Sequence, residues 1–271
     1  MKKKAVLVLV LVLALTYQVA MAWFDPPTWT YTYTGVTTQN PTTATYYGEG
    51  RTGDGRGYIT ATCSLHENYV IRDRNDWMQL VPNLVGAIGA PVSYIATRPV
   101  DTTVFIEAHS WHEAADLPSG ADKGVAADYA SEYYTFGGKS PSSIEEAHKA
   151  TGLLSLFEYH EEVRQALEID AESHVYFSYQ NVHELLNGKV ALIKDDSQLT
   201  GSLANALVRT IAQHAQVGDL GAGMWFNPVD KTCIVGVRKA DGSFLGVHLA
   251  LSDQAEDATW CVSEVQLVKQ Q

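Results

Sequence analysis

The segment Ala108-His-Ser-Trp-His-Glu-Ala-Ala-Asp116 concentrates side chains that could do chemistry. His109, His112, Glu113 and Asp116 offer imidazoles and carboxylates at the end of a stretch that reads as a strand, where loops often carry sites. If residues 109 to 116 turn helically, the three-residue steps from His109 to His112 and from Glu113 to Asp116 bring these side chains together. Imidazole and carboxylate donors suit zinc that keeps a water in an open position. His109 and His112 are then metal ligands or proton-transfer groups, and Glu113 is the general base that takes a proton from metal-held water. The spacing is not HExxH, in which two histidines one helical turn apart flank the glutamate, so a solvated polar loop is the competing expectation.

Other candidates are weaker. Further His-Glu dipeptides occur at His66, His160 and His183. His160 falls in the apolar stripe of a helix, where a hydrogen-bonded core histidine is expected. No GxSxG elbow is present and no cysteine sits in a motif that marks a thiolate. Gly48-Glu-Gly-Arg-Thr-Gly53 has the letters of a dinucleotide-binding turn. A phosphate cradle must lead straight into a helix, whereas the β-branched, alternating GYITATCSL follows, so these glycines are expected in a hairpin loop. With no nucleotide or haem motif, zinc is the cofactor left open.

The compartment is written at the start of the chain. Lys2 to Lys4, the apolar run Ala5 to Leu15 and the small residues Ala20-Met-Ala22 form a secretory signal, with cleavage after Ala22 and a periplasmic or extracellular destination. The apolar run is shorter than the ~20 residues a spanning helix needs, and no later stretch replaces it, so stable membrane insertion is not expected. Beyond Ala22 the chain has 16 basic and 31 acidic side chains, a formal charge of −15, and no basic cluster. Nucleic acid is therefore excluded as a partner, because its phosphates need basic surface. A protein, peptide or carbohydrate ligand remains, with the aromatic-rich stretch from Trp23 to Tyr47 as a stacking platform or, alternatively, a packed strand. Among the cysteines, Cys233 and Cys261 are the expected disulfide pair, leaving Cys63 unbonded; three buried thiols are the alternative.

The elements that must position these groups follow from periodicity. Residues 73 to 90 place Trp77, Leu80, Val81, Leu84, Val85 and Ile88 on one helical face. A second helix follows the capping-box spelling Ser142-Ser-Ile-Glu145, with Leu153, Leu156, Phe157, His160, Val163 and Leu167 on one side. A third runs through Leu203, Leu207, Ile211 and His214. GMWFN, KTCIVGVRK and SFLGVHLAL predict an antiparallel meander with a turn at Asp241-Gly242, and the segment from Asp253 is expected to be helical.

The fold class expected is α+β, with mostly antiparallel sheet and two or more amphipathic helices. After the signal at 1–22, a β-rich part at 23–140 precedes a C-terminal α+β part at 141–271. The echo between ATCSLHE with RPVDTTVFI and SYQNVHE with NPVDKTCIV suggests two similar halves. The reading of function is an exported soluble binding or interaction protein, the alternative being a secreted or periplasmic hydrolase, metal-dependent through His109, His112 and Glu113.

Overall fold

Strand pairing, more than helix, organises this chain. The computed structural model describes residues 29–269 except 54–56, 82–86, 116–121, 140, 142, 153–155, 179–180, 182–184, 186–196 and 253–258. It is 56% strand and 19% helical, in three antiparallel sheets, which corrects the expected α+β class. The signal segment, Trp23 to Pro27 and His183 lie outside the described residues. Among the described residues no helix is long and apolar enough to cross a membrane.

The N-terminal part is a sandwich. One sheet joins β1 (Trp29–Asn40), β2 (Thr43–Gly53) and β5 (Ala87–Thr97) in the order β1-β2-β5. The other joins β3 (Gly57–Glu67), β4 (Val70–Val81), β6 (Thr103–Ala115) and β7 (Asp122–Thr135) in the order β4-β3-β6-β7. Ala44, Tyr46, Ala90 and Val92 of the first pack on Ala61, Cys63, Leu65, Ile106 and Ala108 of the second. Side chains stitch the sheet edges: Asp128 accepts from the Thr32 amide at 2.8 Å, and Asp73 from the Ser93 amide at 2.7 Å.

Where a helix was expected over residues 73 to 90, the described residues are instead β4 and the start of β5, Leu84 and Val85 lying outside them. The two-residue turn Asn68-Tyr69 decides this. Both residues have positive φ, 50° and 67°, the turn geometry that matches strand twist and folds β4 back onto β3 with Glu67 opposite Val70. Asn68 fixes the turn by exchanging hydrogen bonds with the Phe105 main chain at 2.8 and 2.9 Å. A tyrosine in the left-handed region costs about 1–2 kcal/mol. The Tyr69 ring offsets that cost by packing edge-on against Phe105 and Tyr159, both at 5.6 Å between centroids.

The glycine-rich stretch is mostly strand β2, neither a hairpin loop nor a phosphate cradle. Its glycines allow the two sheets to approach. A Cβ on Gly48 would lie 2.9 Å from Ala108 Cβ, and one on Gly50 only 2.3 Å from Ser110 Cβ.

The C-terminal part is layered. Its sheet has the order β12-β11-β10-β9-β8, built from β8 (Val175–Phe177), β9 (Gly223–Asn227), β10 (Thr232–Arg238), β11 (Phe244–Ser252) and β12 (Thr259–Val268). β12 replaces the helix expected from Asp253, because alternation lets it pair along β11, with Ser252 opposite Thr259. The helix expected behind Ser142 is two helices, α1 (Ile144–Thr151) and α2 (Leu156–Ala166), with Gly152 at φ 61° ending the first. Helix α3 (Ser197–His214) lies between this sheet and the sandwich, touching Val235, Val247 and Leu249 on one side and Ile71, Trp111 and Ala127 on the other. The two halves are thus dissimilar, a sandwich and a helix-covered sheet. Main-chain bonds join them, with Ile71 N to Asp219 O at 2.9 Å and Gly218 N to Ile71 O at 2.7 Å.

Cys233 is buried in β10 and Cys261 exposed on β12, with β11 between them, so no disulfide links the expected pair. Two strand spacings amount to ~10 Å, beyond the ~7 Å between Cα atoms that a disulfide spans.

Candidate functional site at the seam of the two units

Because β6 is a strand, its side chains alternate, and this separates the residues that the helical reading brought together. His109 faces the seam with the C-terminal unit, and His112 faces the sandwich interior. His112 Nε2 lies 3.0 Å from Ser110 Oγ, beside Gly50, and Ser110 in turn meets the Thr32 hydroxyl. His109 and His112 therefore cannot ligate one ion. Glu113 pairs with Thr60 in the β3–β6 register, its side chain lying outside the described residues, as Asp116 does entirely. His160 is a buried core residue, with Nδ1 3.0 Å from the Tyr176 hydroxyl and Nε2 at the Gly221 carbonyl.

The seam-facing side of β3 and β6 carries a different constellation. His66 stands directly opposite Glu107, Ser64 opposite His109 and Thr62 opposite Trp111. His66, Glu107 and His109 are 2%, 3% and 1% exposed, and one ligand atom from each falls within 4.8 Å of the others. His109 Nε2 is 3.5 Å from Glu107 Oε1, and its ring lies 4.7 Å from His66, 5.9 Å from Tyr129 and 6.2 Å from Trp111. His66 is held by Ser64 Oγ at 2.8 Å and by the Tyr69 main chain. Burial, followed by His109, pushes the His66 pKa down to about 3 against the opposing pull of Glu107, so the ring is neutral at pH 7.

Glu107 is the residue the sequence reading missed, and His66 stood there only among the weaker His-Glu dipeptides. A usable signal was present. Period-two alternation through TVFIEAHSW puts Glu107, His109 and Trp111 on one face, whereas a helical turn at the strand end pulls His109 toward His112.

Farther along the same face the seam opens into a cleft of about 380 Å³. Thr60, Arg74, Asp76 and Trp111 line it from the sandwich, and Arg209 and Gln213 from α3. Arg74 is fixed there by the Ala212 and Ala215 carbonyls at the end of α3 and by Asp76 at 3.1 Å. Between the cleft and the buried histidines, Ile71, Ile211 and Ala215 close over Thr62 and Ser64.

His112 gives a pH prediction. Burial lowers its pKa from 6.5 to about 4. The unfolded ring gains its proton near pH 6.5 and the folded one only near pH 4, so the folded state is fully favoured above pH 6.5 and loses ground as pH falls between those values. The loss from this one fully buried group reaches roughly 3 kcal/mol. Urea midpoints measured from about pH 7 down to about pH 4.5 are expected to fall, and His112→Gln should flatten that slope.

No protein-family model matches this chain, and no curated protein matches it. Solved structures with some likeness include a Bacteroides uniformis β-glucuronidase 2 covalently bound to cyclophellitol-6-carboxylate aziridine, with a TM-score of 0.26, 8% identity and 39% of this chain covered. A second structure of Bacteroides uniformis β-glucuronidase has a TM-score of 0.26, 9% identity and the same 39% coverage. The match spans only 13% of each glucuronidase chain. A protein from Archaeoglobus fulgidus has a TM-score of 0.22 and 10% identity, with 40% of this chain and 96% of that chain covered. At these scores none of them bears on function.

Proposed function

We propose that this chain is an exported, non-catalytic binding protein that takes a small polar ligand, a sugar or a short peptide, in the cleft between the sandwich and helix α3. One observation supports the reading: the cleft sets guanidinium, carboxylate, carboxamide and hydroxyl groups around the Trp111 indole, in a volume of about 380 Å³. Ligand sites characteristically place a few polar groups on an apolar floor at the junction of two units, in volumes of roughly 300 Å³ and above. The signal layout at residues 1–22 supports delivery to the periplasm or beyond after cleavage at Ala22.

Thermal-shift and tryptophan-fluorescence titrations with mono- and disaccharides and with di- and tripeptides test this. At saturation one class is expected to raise Tm by about 3 °C. Arg209→Ala should abolish the shift; Arg209 is partly buried on α3, so the Tm of the ligand-free variant is the baseline against which its titration is read. A shift that persists unchanged in Arg209→Ala, or no shift across the panel, would count against the cleft.

A further inference from the structure

Beyond the cleft, we infer that His66, Glu107 and His109 form a site for one divalent transition-metal ion, zinc for preference, which ties β3 to β6 at the seam. The donors come from three fixed strand positions. Cross-strand register sets His66 opposite Glu107, and the two-residue period of β6 adds His109 on the same face. Two imidazoles and one carboxylate are a donor set that zinc accepts, with bonds of about 2.0–2.2 Å that place ligand atoms about 3.4 Å apart. The His109–Glu107 edge is already 3.5 Å, and the widest edge, within 4.8 Å, closes by side-chain rotation.

The environment favours occupation. Glu67, the next residue along β3, points to the other side and meets Arg72 and Arg98 there. At the seam, Glu107 shares its buried space with two imidazoles, and an ion lets a carboxylate and neutral histidines coexist away from water. The Tyr69 main chain holds the His66 ring, the outer support that ligating imidazoles ordinarily have. In the loaded site Nε2, which Ser64 Oγ now faces, is given to the ion. With all three donors buried, the ion is held away from any substrate in the cleft.

Metal analysis of the full secreted chain, purified without chelator, is expected to find close to one zinc per chain. Unfolding in chelator followed by metal-free refolding should lower Tm by about 5 °C or more, and refolding with zinc should restore it. Refolding with cobalt(II) should give the visible bands of a low-symmetry nitrogen and oxygen site. Glu107→Gln keeps the volume and hydrogen-bonding capacity of the side chain, so it is the variant to read. It should weaken metal binding at least tenfold, whereas His112→Gln, on the opposite face of β6, should keep full stoichiometry. The inference is overturned if the chain takes up neither zinc nor cobalt, if Glu107→Gln binds as tightly as wild type, or if His112→Gln loses metal to the same extent.

Discussion

Glu67→Ala is expected to destabilise the fold by about 3 kcal/mol, toward the lower end of what breaking a buried ion pair costs. The Glu67 carboxylate is 1% exposed and accepts from the Tyr46 hydroxyl at 3.0 Å, from Arg72 at 3.0 Å and from Arg98. It thereby ties β2, β4 and the segment after β5 to the end of β3. Removing it strands the Tyr46 hydroxyl in the core, where the ring is fully buried, and leaves two guanidinium groups without their counter-charge. Those arginines are 29% and 31% exposed, so water reaches them and moderates the penalty. Glu67→Gln keeps an acceptor for Tyr46 and should cost less than the alanine. Urea unfolding at pH 7 measures both, and a loss below about 1 kcal/mol for the alanine would mean that solvent replaces the carboxylate.

Gly50→Val is expected to cost about as much, by a different route. Even a single methyl at Gly50 would sit 2.3 Å from Ser110 Cβ, a distance that only a shift of one sheet against the other relieves. Ser110 is fully buried and bonded to Thr32 and His112, so it has no free direction in which to turn. Overpacking a close-packed interior costs typically 1–3 kcal/mol for a few extra methylenes, and the branched side chain adds two carbons to the clash. Gly50→Ala should fall between wild type and valine. Ser110→Gly in the valine background should recover part of the loss, because it removes the opposing Cβ. If Gly50→Val unfolds at the wild-type midpoint, the sheets are not in contact at this point.

What could be read from the chain was what is local. The meander of β9, β10 and β11 carries its own turn at Asp241-Gly242, and helix α3 has a regular apolar stripe through Leu203, Leu207 and Ile211. Residues 73 to 90 misled because a helical spacing of apolar residues competes with a partner strand elsewhere in the chain. The turn that settles the matter, Asn68-Tyr69, lacks the glycine that usually announces it. The site was half legible for the same reason. His109 stands out by composition, but His66 becomes its neighbour only once β3 and β6 are paired in one particular register. The glycines of β2 had a purpose that no local pattern spells, since the atoms they avoid belong to β6.

Arg74 also bears on the order in which the chain acquires its structure. Helix α3 finishes with the carbonyls of Ala212 and Ala215 turned toward a guanidinium that belongs to β4. Every helix leaves its last carbonyls without internal donors; Lys239 serves His214 from the same half, whereas the donor to Ala212 and Ala215 was synthesised well before the helix. A sandwich that folds as it emerges thus presents a waiting template against which the end of α3 is completed on arrival. Shortening the protein to its C-terminal half would take that template away and fray α3 from its last turn.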